Sequence, residues 1–105
     1  MAADLATALS TDNPQAFLRR LEPTLREEFR RDIEGLCASF DISSAIDVLR
    51  EEGGTLEVDW LLELKPRDGA RGAIRRRERV TVETGKSKGR LLVIRLRPRA
   101  FFGSP

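Results

Sequence analysis

Residues 55–65 read TLEVDWLLELK, and the reading of this stretch decides the fold. Leu56, Val58, Trp60, Leu62 and Leu64 alternate with Glu57, Asp59 and Glu63, the period of two that a half-buried β-strand requires. Only Leu61 breaks the alternation. A wholly apolar strand face must be covered by another layer, and the segments able to cover it precede it in the chain.

Immediately upstream, DISSAIDVLREEGG sets Ile42, Ser44, Ile46 and Val48 at alternate positions before a glycine pair, which predicts a strand over about 41–50. Downstream, PRDGARGA (66–73) is a turn-rich loop, IRRRERVTVET predicts a strand over about 74–84, GKSKG is a tight turn, and RLLVIRLRP predicts a strand over about 89–98. With TLEVDWLLELK over 55–65, that makes a four-stranded antiparallel meander.

Nearer the N-terminus the period changes to three and four. ADLATAL predicts a helix over about 3–10, and STDNP interrupts it. Asn13 or Asp12 can cap the next helix, about 14–21, with Pro14 at its first position and Phe17, Leu18 and Leu21 on one side. Pro23 then ends that helix, and Thr24 with Glu27 reads as a capping box for a third, about 25–39. Leu25, Phe29, Ile33, Leu36, Cys37 and Phe40 form its apolar stripe. The expected fold class is α+β: one domain, 1–105, its N-terminal helices packed in the concave face of a curved four-stranded antiparallel sheet.

Register follows from matching like with like across the strands, because a slip of one residue turns every side chain to the other face. Setting Glu63 opposite Arg75 places Asp59 opposite Arg79 and Leu61 opposite Arg77, while Val58 meets Val80 and Leu56 meets Val82. For the last hairpin the matching pattern sets Val82 against Leu92, Val80 against Ile94 and Glu78 against Leu96. The outer face then carries arginines 77, 79, 95 and 97, with Glu57, Asp59, Glu63 and Glu83 as counter-charge.

Composition narrows the chemistry. In 105 residues, 40% are hydrophobic and 34% charged, with 19 Lys plus Arg against 17 Asp plus Glu and a net charge of +2. Such a chain buries one core and its charge does not call for a nucleic-acid partner. The pI near 9.2 reflects the absence of histidine, which leaves few groups titrating near neutrality. With Cys37 the only cysteine and no histidine, no intrachain disulfide or thiolate zinc site can form, and no cofactor or metal is expected. No run approaches the roughly 18 apolar residues of a membrane span, and Met1 to Arg20 lacks the pattern of a leader. The chain is expected to be soluble, cytoplasmic as it stands, and exported if a leader once preceded Met1.

Short helices with the segment DNPQAFLRRL, then a longer amphipathic helix, DISSAIDVLREEGGTLEVDWLLEL, RRRERVTVE and a final LLVIRLRPRAFF together resemble the nuclear transport factor 2-like superfamily, which includes the SnoaL-like and ketosteroid-isomerase-like proteins. The resemblance covers nearly the whole chain and implies a cone whose sheet wraps the helices around a pocket. It implies a homodimer contact on the outer sheet face and a small apolar ligand held by Trp60, Glu78, Phe29, Leu62 and Ile94. The isomerases of that superfamily use an aspartate base with a tyrosine or acid, and the dehydratases histidine with aspartate; this chain has neither tyrosine nor histidine.

Glu78 is the candidate for a catalytic group. By strand parity it sits opposite Trp60, where burial in an apolar cone would raise its pKa and suit it to acid–base work in an isomerase- or dehydratase-like reaction. The plainer account is a rim carboxylate beside Arg76. Asp47 and Asp59 read as outward carboxylates paired with arginines, and Cys37 as a buried inert thiol. The arginines at 71, 75, 76, 77, 79, 90, 95, 97 and 99 suit anion or RNA binding, but outward aromatics for base stacking are missing and acidic neighbours neutralise them. Adjacent Phe101 and Phe102, read at a strand end, should point apart, one into the core and the other to a loop or a second subunit. The leading expectation is a non-catalytic binding or assembly module.

Overall fold

Gly53 and Gly54 both have positive φ, 56° and 85°, and close a two-residue hairpin between β1 (Phe40–Glu52) and β2 (Thr55–Pro66). The mirror-image turn this needs matches the right-handed twist of the strands it joins. Lys88 and Gly89, at 51° and 77°, do the same between β3 (Ile74–Ser87) and β4 (Arg90–Arg97). In this computed structural model, which describes residues 2–10, 13–69 and 72–103, the strands form one antiparallel sheet in the order β1-β2-β3-β4. They follow α1 (Ala2–Leu9), α2 (Pro14–Leu18) and α3 (Pro23–Ser39), and a 3-10 helix, Arg99–Phe102, ends the described chain. The fold is α+β, with the helices before the sheet and packed on its inner face.

Helix ends follow backbone hydrogen-bonding needs. Asn13 caps α2, its side chain accepting from the Gln15 amide at 3.0 Å, and Pro14 takes the first position as expected. Asp12, the alternative cap, lies outside the described residues. The second helix stops at Leu18 rather than near Leu21, because the next residues turn to the edge of β4. There Val93 N donates to the Arg20 carbonyl and Glu22 N to the Val93 carbonyl, both at 2.8 Å, and Leu21 bridges Val93 in parallel. Pro23 opens α3 rather than closing α2. The cap is Glu22, whose carboxylate accepts from Leu25 N at 2.7 Å, so the Thr24–Glu27 box is not the device used. Proline fits because the amide it lacks has no partner at that position.

Register between β2 and β3 is the expected one throughout: Glu63 opposes Arg75, Asp59 Arg79, Leu61 Arg77, Val58 Val80 and Leu56 Val82. Between β3 and β4 it is not. β3 runs on to Ser87, and Val82 pairs with Leu96 rather than Leu92. The shorter turn moves the register, and an irregularity after Glu83 makes Ile94 the unmatched residue of β4.

One core joins Leu5 and Leu9 of α1, Phe17 and Leu18 of α2, the α3 stripe of Leu25, Phe29, Ile33, Leu36 and Cys37, and the inner row of the sheet. Each large apolar side chain fully buried there contributes roughly 1.5–3 kcal/mol. No polar or charged residue is buried among those described. No described helix is long and apolar enough to cross a membrane.

Candidate functional site

The space beneath Trp60 is occupied by the protein's own rings. After β4 the chain passes the cis Arg97–Pro98 bond and coils into the terminal 3-10 helix, which turns both Phe101 and Phe102 inward, 3% and 0% exposed. A strand end would have pointed them apart; a 3-10 turn does not alternate its side chains, and that is why the expected split fails. Phe102 stands edge-on to Trp60 with centroids 5.1 Å apart, and Phe101 lies 6.0 Å from the same indole. Phe17 at 6.3 Å from Trp60 and Phe29 at 5.7 Å from Phe102 complete the cluster. The indole nitrogen donates to Ser44 Oγ at 2.8 Å, which satisfies the one polar atom Trp60 carries into the core.

Of the residues named from sequence for an apolar ligand, Trp60, Phe29 and Leu62 come together in the interior. Ile94 and Glu78 do not join them. Ile94 is 47% exposed on the outer side, where a Cβ on Gly85 would meet its Cγ2 at 3.3 Å. Glu78 keeps the expected place opposite Trp60, yet it is exposed. The moved β3–β4 register accounts for it: β4 reaches its last β3 partner at Thr81, so no β4 residue lies beside Glu78. Its neighbour Arg76 instead donates to the Phe101 carbonyl at 2.8 Å and ties the aromatic turn to the sheet. The burial that an acid–base role for Glu78 required is not present.

The other candidate surface is the outer face of the sheet. β1 and β2 carry Asp41, Asp47, Glu57, Asp59 and Glu63 there, with Arg50 and Lys65 among them, while β3 and β4 carry Arg75, Arg77, Arg79, Arg95 and Arg97, with Glu83 among them. Strand order therefore leaves the face mainly acidic on β1–β2 and mainly basic on β3–β4. Arg75 Nε meets Glu63 at 3.0 Å, Arg77 Nη2 meets Asp59 at 2.7 Å, and Arg95 and Arg97 reach Glu83 at 3.5 and 3.2 Å. Asp59 thus bonds its diagonal neighbour rather than Arg79 directly across, a reach open to long side chains on a twisted sheet. The hydrogen bond from Arg77, reinforced by the charges of Arg77 and Arg79 and opposed by partial burial, holds the Asp59 carboxyl below its ordinary value. Asp47 lies opposite Asp59, exposed, and adds to the field at Arg77. Leu61 pairs with Ala45 of the edge strand midway along β1 and β2, and no aromatic side chain stands among these positions. Arg71 lies outside the described residues.

Cys37 is buried on α3, its carbonyl accepting from Arg67 at 3.1 and 3.2 Å. Sequence reasoning missed Ser44 as the partner of Trp60, although strand parity had put it on the inner face. It also missed a cleft at the α2–β4 junction, where adjacent Arg19 and Arg20 were the available signal. No protein-family model matches the chain, and no curated protein matches it.

Proposed function

We propose that this protein is a non-catalytic assembly module that pairs with a second copy through the outer face of its sheet. The observation that supports the reading is the uneven charge of that face, mainly acidic on β1–β2 and mainly basic on β3–β4. A two-fold axis parallel to the strands sets β1 against the partner's β4 and β2 against its β3. Mainly acidic strands then face mainly basic ones, with Leu61 beside the axis. The resemblance to the nuclear transport factor 2-like superfamily implies the same contact. The filled interior favours assembly over carriage of a small apolar ligand, and exposure of Glu78 favours it over catalysis.

Size sets the strength. The strands, 13, 12, 14 and 8 residues long, rise about 3.3 Å per residue, lie about 4.8 Å apart and make a face of roughly 750 Å². That is near the about 800 Å² per partner of a standard interface, and a contact made largely by ion pairs loosens with salt. Sedimentation equilibrium over a protein and salt series tests it. A mass rising toward twice the monomer at high protein and low salt, and lost in the Leu61→Arg variant, is expected. A monomer throughout the series refutes the proposal. The absence of outward aromatics argues against the RNA reading, for which retention on single-stranded RNA at moderate salt is the check.

A further inference from the structure

A cleft of about 410 Å³ opens between α1, the end of α2 and the start of β4, lined by Asp4, Thr7, Ala8, Ala16, Arg19, Arg20 and Arg90. Its basic side chains come from two distant parts of the sequence, and the Leu21–Val93 bridge brings them together. The paired peptide groups of Arg20 and Glu22 with Val93 fix the α2–α3 joint along the edge of β4, and Arg90 lies one short stretch upstream on that strand. This volume falls within the range of small-molecule sites, and its walls at Ala8 and Ala16 are small.

The charges in the cleft are unlike those on the sheet. Arg75, Arg77, Arg95 and Arg97 each hold a carboxylate of this chain. Among the described residues, Arg20 and Arg90 make neither a side-chain hydrogen bond nor an ion pair, and Arg19 spends only its Nε, on the Gln15 carbonyl at 3.3 Å. Asp4 shares the cleft but pairs with none of the three. Basic residues near a helix C-terminus are favoured by its partial negative charge, which accounts for Arg19 and Arg20 on so short a helix only weakly and for Arg90 not at all. Three guanidinium groups gathered in a concavity with a single carboxylate, which pairs with none of them, repel one another, and a tetrahedral dianion relieves that repulsion while matching their fork geometry.

The geometry points to this cleft as a binding site for a phosphate group, taken by Arg19, Arg20 and Arg90, with Thr7 and Asp4 left to meet hydroxyl groups of the same ligand. The site lies apart from the outer sheet face and does not depend on the pairing of two copies.

Amide chemical shifts followed during titration with inorganic pyrophosphate, at constant ionic strength, test the assignment. Saturable shifts centred on Thr7, Ala16, Arg20 and Arg90 are expected. The Arg20→Gln/Arg90→Gln variant should weaken binding by about tenfold or more, the usual consequence of losing charge-assisted hydrogen bonds. Arg31→Gln, on the exposed side of α3, should leave it unchanged and guards against a general loss of charge. A parallel arm uses phosphatidylcholine vesicles with and without phosphatidic acid. Sedimentation with the acidic vesicles alone, abolished by the double substitution, would identify the phosphate as that of a lipid headgroup and supports the same site. No response to either probe, or one that the double variant retains or that Arg31→Gln weakens equally, overturns the assignment.

Discussion

Replacing Phe102 with alanine tests whether the interior is filled, the condition on which the choice of assembly over ligand carriage rests. Phe102 is fully buried and its ring lies within 5.1 to 6.0 Å, centroid to centroid, of Trp60, Phe101, Phe29 and Phe17. Removing a ring with that many neighbours loses its transfer free energy and leaves a void, together about 3–5 kcal/mol. Against a total stability of about 5–15 kcal/mol for a domain of this size, the variant stays folded but melts roughly 12–20 °C lower. Trp60, the only tryptophan, reports unfolding directly by its fluorescence in a urea titration. Benzene should then bind the variant and raise its midpoint, since a dry apolar void accepts such a ligand, while leaving the wild type unmoved. A loss below about 1 kcal/mol, or benzene binding to the wild type, would mean that the rings do not plug the sheet, and the ligand pocket would return as the leading reading.

Other perturbations probe single contacts. Ser44→Ala strands the Trp60 indole N–H in the core and should cost about 1–3 kcal/mol in urea denaturation, whereas Ser43→Ala, one residue away on the outer face, should cost little. Glu22→Ala removes the α3 cap and should lower stability by about 1 kcal/mol, with Glu22→Asn recovering much of the loss. Asp59 has a folded-state carboxyl below its ordinary value of 3.8, so the native state takes up fewer protons than the unfolded chain. Its contribution is complete above that ordinary value and is lost as pH falls through the lowered one. The stability gap between wild type and Asp59→Asn should therefore be steady at neutral pH, close in strong acid, and shrink with added salt.

Local signals account for what the sequence made legible. The strict alternation of β2 has five apolar residues on one side, so a slip of one residue would expose Trp60 and bury Asp59, and every odd displacement against β3 is excluded. The α3 stripe is similarly constrained by Phe29 and Ile33. Where two signals competed, the choice was not local. Pro23 serves equally well after one helix or at the start of the next, and only the pairing of Leu21 with Val93, made across the fold, ends α2 early and gives the cap to Glu22. GKSKG holds two glycines, and either a five-residue loop or a tight turn at Lys88–Gly89 is compatible with its composition.

That single turn governs most of what sequence reasoning missed at the site. The tight turn lengthens β3 and moves Leu96 from Glu78 to Val82, four residues along. An even displacement keeps the inner and outer faces, which is why the charge division of the sheet survived while the depth of individual residues did not. Glu78 lost the strand neighbour that would have covered it, and the unmatched residue of β4 carried Ile94 outward. The chain also leaves β4 nearer the middle of β3, and the 3-10 turn sets Phe101 and Phe102 under Trp60, where a ligand had been expected. Pocket and plug are thus alternative outcomes of one hairpin register. Lengthening the Lys88–Gly89 turn by two glycines should leave β2 pairing intact yet loosen the aromatic turn first, seen as faster amide exchange at Phe101 and Phe102 than at Val58. Uniform loosening of both would separate the hairpin from the plug and refute this account.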